Sequence, residues 1–140
     1  MSADDMVLSS RMKLPGLTME VSIDARSELI VLSMTADGRG SVIQHCDTED
    51  VRALVYLLKC CAAAVQGDGK ARAAVEATRA IETQDDQMPV TITADGLVIF
   101  NFVGPDCKIV LHLSAENARA MAVELLAACD ALQDAQGSAA

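Results

Sequence analysis

Residues 41–66 read SVIQHCDTEDVRALVYLLKCCAAAVQ, a pattern typical of a short strand, a capped turn and a long helix. Shifted by 67 positions, the stretch aligns with a second copy of itself, and no gap is needed. The identical pairs are His45 and His112, Glu49 and Glu116, Arg52 and Arg119, Ala53 and Ala120, Leu58 and Leu125, and Ala64 and Ala131. This register predicts that the chain contains an internal duplication.

Alternating apolar residues before the opening stretch predict two more strands, over residues 17–23 and 29–34. The second copy repeats the pattern, with apolar segments at residues 90–92, 97–103 and 108–113. Short turn sequences separate these segments, and those at residues 37–40, 95–96 and 104–106 contain glycine, which favours hairpins. Each copy therefore supplies three antiparallel strands.

A helix is expected after each set of strands. Asp47 and Ser114 are residue types that cap helix N-termini. Glu49 adds negative charge at the positive end of the first helix dipole, and Gly67 is suited to end that helix. Each copy is therefore predicted to be a βββα unit.

Two such units can share one core, although neither encloses a core alone. We expect an α+β fold in which the duplicated units form one antiparallel sheet of about six strands, with the two main helices on one face. Two small packed sheets are the alternative. The predicted segments of this single globular domain are an N-terminal arm (1–16), the first repeat (17–66), a connector with a short surface helix (67–87), the second repeat (88–134) and a tail (135–140). The arm is expected as a short helix or a loose segment, and the tail is expected to fray.

The charge balance limits the classes of partner. The 20 acidic and 11 basic residues give a net charge of −9, and aromatic residues make up only 2% of the chain. Such a protein repels phosphate backbones and anionic lipid surfaces, so direct binding of nucleic acid or membrane is disfavoured and a basic protein partner is favoured. No segment has the pattern of a signal peptide or a membrane span, and a cytoplasmic location is expected.

The five cysteines do not form a recognisable pattern. Their odd number and irregular spacing predict neither a disulfide framework nor a zinc site. We expect buried apolar thiols in a reducing compartment, with no metal and no cofactor.

Too many apolar residues are present for the predicted core alone. On the sheet, Val31, Ile43, Ile99, Val103 and Val110 are expected on the face that points away from the helices. On the helices, the corresponding interface candidates are Ala53, Tyr56, Leu57, Cys60, Val123 and Leu126. Such surfaces usually mark an interface, so a homodimer is expected first and a foreign partner second. The alternative is that the N-terminal arm and the connector cover them.

Four polar residues recur at equivalent positions in the two copies and are candidates for ligand contact: His45, His112, Arg52 and Arg119. The histidines end the third strand of each copy, where a structural role is the simplest interpretation. Each arginine is three residues from a glutamate, and intrahelical ion pairs are expected.

The sequence lacks the common catalytic motifs, and we expect no enzyme activity. The favoured function is a non-enzymatic acidic protein-binding module that inhibits or adapts another macromolecule. Small size and acidity also suit phage-type inhibitors of bacterial defence systems. The alternatives are a secretion-chaperone-like dimer, and a small-ligand binder or enzyme with a groove near His45 and His112.

Overall fold

A computed structural model describes residues 6–38, 40–81, 90–104 and 108–138. Within these residues the fold is α+β, as predicted, with two antiparallel sheets and three helices. The strands are β1 (Met6–Leu14), β2 (Leu17–Asp24), β3 (Leu29–Ala36), β4 (Gly40–Cys46), β5 (Val90–Ile92), β6 (Val98–Val103) and β7 (Lys108–Leu113). The helices are α1 (Thr48–Val65), α2 (Gly69–Ile81) and α3 (Ala115–Ser138).

The N-terminal segment differs from the prediction of a helix or a loose arm, because residues 6–14 form β1. This strand pairs with β2 through a tight turn at Pro15 and Gly16, where Gly16 adopts a φ of +73°. Met12 lies opposite Met19 in the register, so the apolar alternation of β2 continues across the turn. The sheet thereby gains an edge strand.

The strands divide into a four-stranded sheet, ordered β1-β2-β3-β4, and a three-stranded sheet, ordered β5-β6-β7. The single sheet of about six strands favoured from the sequence is therefore replaced by two sheets, the arrangement considered as the alternative. A side-chain hydrogen bond links them: Gln44 Nε2 in β4 donates to the carbonyl oxygen of Val103 at the end of β6 (2.8 Å). Backbone pairing in the described chain stays within each sheet.

Alternation along each strand separates an inner face from an outer face. The inner faces supply the core together with the helices, and the core side chains of the sheets include Met19, Val21, Ile30, Leu32, Met34, Val98, Phe100, Phe102 and Leu113. The ring centroids of Phe100 and Phe102 lie 6.0 Å apart. The strand parity expected from the sequence is confirmed at these positions.

Each long helix packs mainly on the sheet that the other half of the chain forms, an arrangement called here the exchange of helices. Helix α1 follows the four-stranded sheet in the chain but packs mainly on β5 and β6, whereas α3 follows the three-stranded sheet and packs mainly on β1, β2 and β3. The helices also contact each other extensively, and α2 packs against α1. Each sheet is therefore covered by the helix from the other half of the chain.

The helix ends agree with the capping signals. Asp47 Oδ1 accepts a hydrogen bond from the N–H of Asp50 (2.8 Å), and Ser114 Oγ accepts one from the N–H of Asn117 (3.1 Å). Gly67 has a φ of +100° directly after α1. Helix α3 continues to Ser138, so residues 135–138 of the predicted tail are helical, and the fraying of this tail stays a prediction.

A helix that crosses a bilayer needs about 20 predominantly apolar residues. None of the helices of the described residues combines the length and the apolar character that crossing a membrane requires.

Candidate functional site

An open cleft of about 710 Å³ lies between β7 and the turns at one end of the four-stranded sheet. Its volume falls within the range typical of ligand pockets, roughly 300–1,000 Å³. The lining residues are Leu14, Pro15, Gly16, Leu17, Ala36, Asp37, every residue from Lys108 to Leu113, and Asn117. One complete strand therefore borders the cleft along its length.

The free edge of β7 forms one wall, because β7 is an outer strand of its sheet in the described chain. Residues of an antiparallel pair direct their backbone groups alternately toward the partner strand and away from it. The N–H of Thr93 donates to the carbonyl of Leu97 (2.9 Å), which marks these residues as a hydrogen-bonded pair of the β5–β6 hairpin. The same alternation continues along β6 and across its register with β7. It places the N–H and C=O groups of Lys108, Val110 and His112 on the free edge of β7, where they point into the cleft.

The opposite wall consists of two turns that are tied together. The N–H of Asp37, in the β3–β4 turn, donates to the carbonyl of Gly16, in the β1–β2 turn (3.0 Å). Leu14 and Leu17 flank the latter turn and add apolar surface to the cleft. This bond fixes the turns relative to each other and holds the wall in place.

A second feature is an apolar strip on the outer faces of the sheets, formed by Ile43, Val103 and Val110, which are 57%, 52% and 42% exposed. Val103 and Val110 are diagonal neighbours across β6 and β7, a separation of about 7–8 Å in antiparallel sheets. Ile43 precedes Gln44, whose side chain contacts the Val103 carbonyl. The strip therefore has members on both sheets, and Val110 also lines the cleft.

Two residues expected on this exposed surface are buried instead. Val31 and Ile99 retain only 4% and 9% of their exposure, although each lies on an outer face. In the register they lie opposite His45 and His112, respectively. The apolar outer surface is consequently smaller than the sequence suggested. Of the two expected covers, β1 extends the four-stranded sheet at its edge, and α2 packs against α1 beside Leu57 and Cys60.

The interface candidates on the helices fall into two groups. Ala53, Tyr56 and Val123 are exposed, and the two larger side chains are 63% and 60% accessible. Leu57, Cys60 and Leu126 are half-buried and pack against the core.

The surroundings of Tyr56 on α1 include a thiol and a small pocket. A hydrogen bond with Cys60 raises the pKa of the Tyr56 phenol above its ordinary value. A pocket of about 50 Å³ between α1, α2 and β5 is lined by Tyr56, Leu57, Cys60, Cys61, Ala74, Val75 and Val90.

The four ligand-contact candidates do not all gather at one site. His112 lines the cleft, whereas His45 is exposed on β4 in the other sheet. Arg52 and Arg119 are exposed on α1 and α3. In the described chain, neither arginine forms the expected ion pair with the glutamate three residues before it, and a salt bridge joins Arg11 to Glu20 instead (3.3 Å).

The thiols of the described residues are free, and Cys107 lies outside these residues. Burial raises the pKa of Cys61 to about 11. It also raises the pKa of Cys46, with a further contribution from the charges of Asp50 and Asp47. At Cys129 burial again raises the pKa, against an opposing effect of the Arg52 charge. A raised pKa keeps these three sulfurs protonated at neutral pH, and protonated thiols are weak nucleophiles and weak metal ligands.

Chemical groups of the described residues do not converge on a metal site, because no three histidine, cysteine or acidic side chains lie close enough together. Comparison with protein-family models, with curated proteins and with solved structures found no match to this chain. The cleft and the apolar strip are thus the features that bear on function. The sequence indicated members of the strip and a groove near His112, but it placed His45 in the same groove and did not indicate the two turns that form the far wall of the cleft. Only the Pro15-Gly16 turn between alternating apolar residues could have indicated its far wall.

Proposed function

We propose that this protein is a non-enzymatic protein-binding module that inhibits or adapts another macromolecule. The observation that carries the proposal is the strip of Ile43, Val103 and Val110, in which three branched apolar side chains remain exposed across two adjoining sheets. Exposed apolar groups that cluster mark interaction surfaces more often than isolated ones do. Binding a partner would remove these side chains from water.

The charge of the chain supports a basic partner. A net charge of −9 attracts basic proteins and repels nucleic acids and anionic lipids over distances of about 8–10 Å at moderate salt. The strip would supply the buried centre of the interface, and the surrounding charge would accelerate association. Anti-defence inhibition is one activity that suits a small acidic protein of this kind.

The proposal extends to the organisation of the molecule. The order of three strands followed by a long helix occurs as β2-β3-β4-α1 and again as β5-β6-β7-α3, which supports an internal duplication. The exposed Tyr56 and Val123 occupy the same position in the two copies and provide surface for a homodimer. A cytoplasmic location suits the free thiols of the described residues.

The test compares partner capture by the wild-type protein with capture by a variant of the strip. The variant carries Ile43→Thr, Val103→Thr and Val110→Thr, which keep the branched shape of a strand residue and add a hydroxyl group. We expect wild-type protein to retain a basic protein in stoichiometric amount from a host lysate. The strip variant should fail to retain this basic protein. Calorimetry with the purified partner should likewise show binding to the wild type and weaker binding to the variant.

A matched control carries Val7→Thr, at an exposed strand valine outside both the strip and the interface candidates of the helices. Circular dichroism of both variants confirms that the fold is retained. Equal capture by the strip variant and the control would contradict the proposal. Sedimentation of wild-type protein tests the dimer, which a strict monomer at high concentration would exclude.

A further inference from the structure

We infer that the cleft beside β7 binds an extended segment of a partner protein, which adds to the three-stranded sheet as a fourth strand. The inference rests on the proposed protein-binding function and assigns it a second surface. Strand addition is a recurring mode of peptide recognition in which backbone hydrogen bonds provide affinity and alternate side chains provide selectivity. The cleft provides both elements.

The backbone groups are the first element. The N–H and C=O groups of Lys108, Val110 and His112 point into the cleft, whereas those of Ile109 and Leu111 pair with β6. An extended segment beside β7 would complete the ladder at the three outward-directed residues. The whole of β7 is six residues long, so at roughly 3.3 Å per residue it offers about 20 Å of edge for pairing.

The shape of the cleft favours a single strand over a second copy of this protein. Its far wall consists of this chain's own turns, at Pro15, Gly16 and Asp37, which face the edge of β7. The bond between Asp37 and Gly16 fixes these turns. A single extended chain fits between two walls, but the edge of another folded sheet brings with it neighbouring strands that the turns obstruct.

The side chains around the cleft define the chemistry of the segment. Residues of the segment on the inner side would meet apolar surface from Leu14 and Leu17, so apolar side chains are favoured at alternate positions. Residues on the outer side would lie beside Val110 and the other exposed side chains of β7. The charge of −9 favours basic flanking residues. The expected ligand is therefore an extended segment with alternating apolar residues and basic ends.

The experiment uses the full chain and a displayed library of random peptides, each about ten residues long, the upper length of common strands. We expect the selected peptides to show apolar residues at every second position and a net positive charge. Amide hydrogen exchange of the complex should show new protection at Lys108, Val110 and His112. The amides of Ile109 and Leu111 already belong to the β6–β7 ladder and should change little.

A pair of variants at one residue isolates the backbone contribution. Val110→Pro removes an N–H that faces the cleft, and proline is tolerated on an edge strand when its N–H position faces outward. We expect it to weaken binding of a selected peptide by about fivefold or more, because one donor is lost and its neighbours are distorted. Val110→Ala keeps the N–H but loses the same outer-face side chain, so the alanine variant is the reference, and the proline variant should bind about fivefold or more less tightly than it does.

The inference would be overturned by absence of selected peptides, by equal binding of the two Val110 variants, or by amide exchange showing that β7 is protected by self-association that sedimentation detects. Peptides that protect Ile43 and Val103 but leave β7 unchanged would also overturn it, while the protein-binding function would stand. If Val110→Pro does not fold, the exchange pattern of the wild-type complex alone decides.

Discussion

The side-chain amide of Gln44 donates a 2.8 Å hydrogen bond to the backbone carbonyl of Val103, and this contact joins the edge of one sheet to the end of a strand in the other. The two residues are 59 positions apart in the chain. The bond also ties the end of β6, which carries Val103 of the apolar strip, to β4, which carries Ile43. A single polar contact thus contributes to the shape of the surface that we assign to partner binding.

Replacement of Gln44 should loosen this junction without unfolding the protein. We expect Gln44→Ala to lower the free energy of unfolding by about 0.5–1.5 kcal/mol, the net contribution of an ordinary hydrogen bond. Because the bond is exposed, the lower end of that range is favoured. Urea denaturation measures the change. Gln133→Ala, an exposed glutamine on α3, is the control, and equal effects of the two substitutions would contradict a specific role for Gln44.

The exchange of helices between sheets predicts that neither half of the chain folds alone. A fragment of residues 1–67 lacks α3, and a fragment of residues 68–140 lacks α1, so each sheet loses the helix that covers its inner face. We expect each fragment to lack a cooperative thermal transition by circular dichroism. An equimolar mixture should regain the transition and the far-ultraviolet spectrum of the intact protein. A cooperative transition in either isolated fragment would show that the halves are independent.

Acid should weaken the β2–β3 turn through Asp24. The hydroxyl of Ser27 donates to its carboxylate and lowers the pKa below the ordinary value of 3.8, assisted by the N–H groups of Ser27 and Arg26. Because the folded-state pKa is depressed, the stabilisation is present above the unfolded-state pKa and is lost as the pH falls through the folded-state value. We therefore expect Asp24→Asn to be less stable than the wild type at pH 7, and this difference to shrink below about pH 3.8.

Urea denaturation at pH 7 and near pH 3 measures the Asp24 effect. The control is Asp130→Asn, which alters an exposed aspartate on α3. A stability difference for Asp24→Asn that is the same at both pH values would show that the charge of the carboxylate is not the source.

The two helix caps should contribute separately to stability. Asp47→Ala and Ser114→Ala each remove a side-chain acceptor from an N-terminal N–H, and we expect each to cost about 0.5–2 kcal/mol. Asp47→Asn and Ser114→Thr keep an acceptor and should cost less. Urea denaturation of the four variants tests the order. Equal losses for the alanine and the conservative variants would indicate that the cap hydrogen bonds contribute little.

Local features of this fold could be predicted from the sequence, because their determinants are adjacent in the chain. Capping by Asp47 and Ser114, the end of α1 before Gly67, and the outward direction of Val103 and Val110 all follow from short patterns. Each depends on residue chemistry within a few positions. These predictions are confirmed.

The arrangement of the sheets could not be predicted in the same way, because strand partners are set by contacts between distant segments. The arm of residues 1–16 contains Arg11 and Lys13, which hide the apolar alternation of an edge strand with one exposed side. Similarly, the cleft combines a turn near residue 16, a turn near residue 37 and the edge of β7. No local motif connects these three segments. The duplication and the dimer remain predictions.

The exchange of helices has a consequence during synthesis. The four-stranded sheet is complete once Cys46 has left the ribosome, but α3 ends about 90 residues later, at Ser138. At a synthesis rate of roughly 5–20 residues per second, the apolar inner face of that sheet stays exposed for about 5–20 s until α3 is complete. During this interval the nascent chain exposes Met19, Leu32 and Met34, three side chains that are buried in the finished protein. We therefore expect the nascent sheet to be prone to association until α3 is complete, unless a chaperone binds its apolar face.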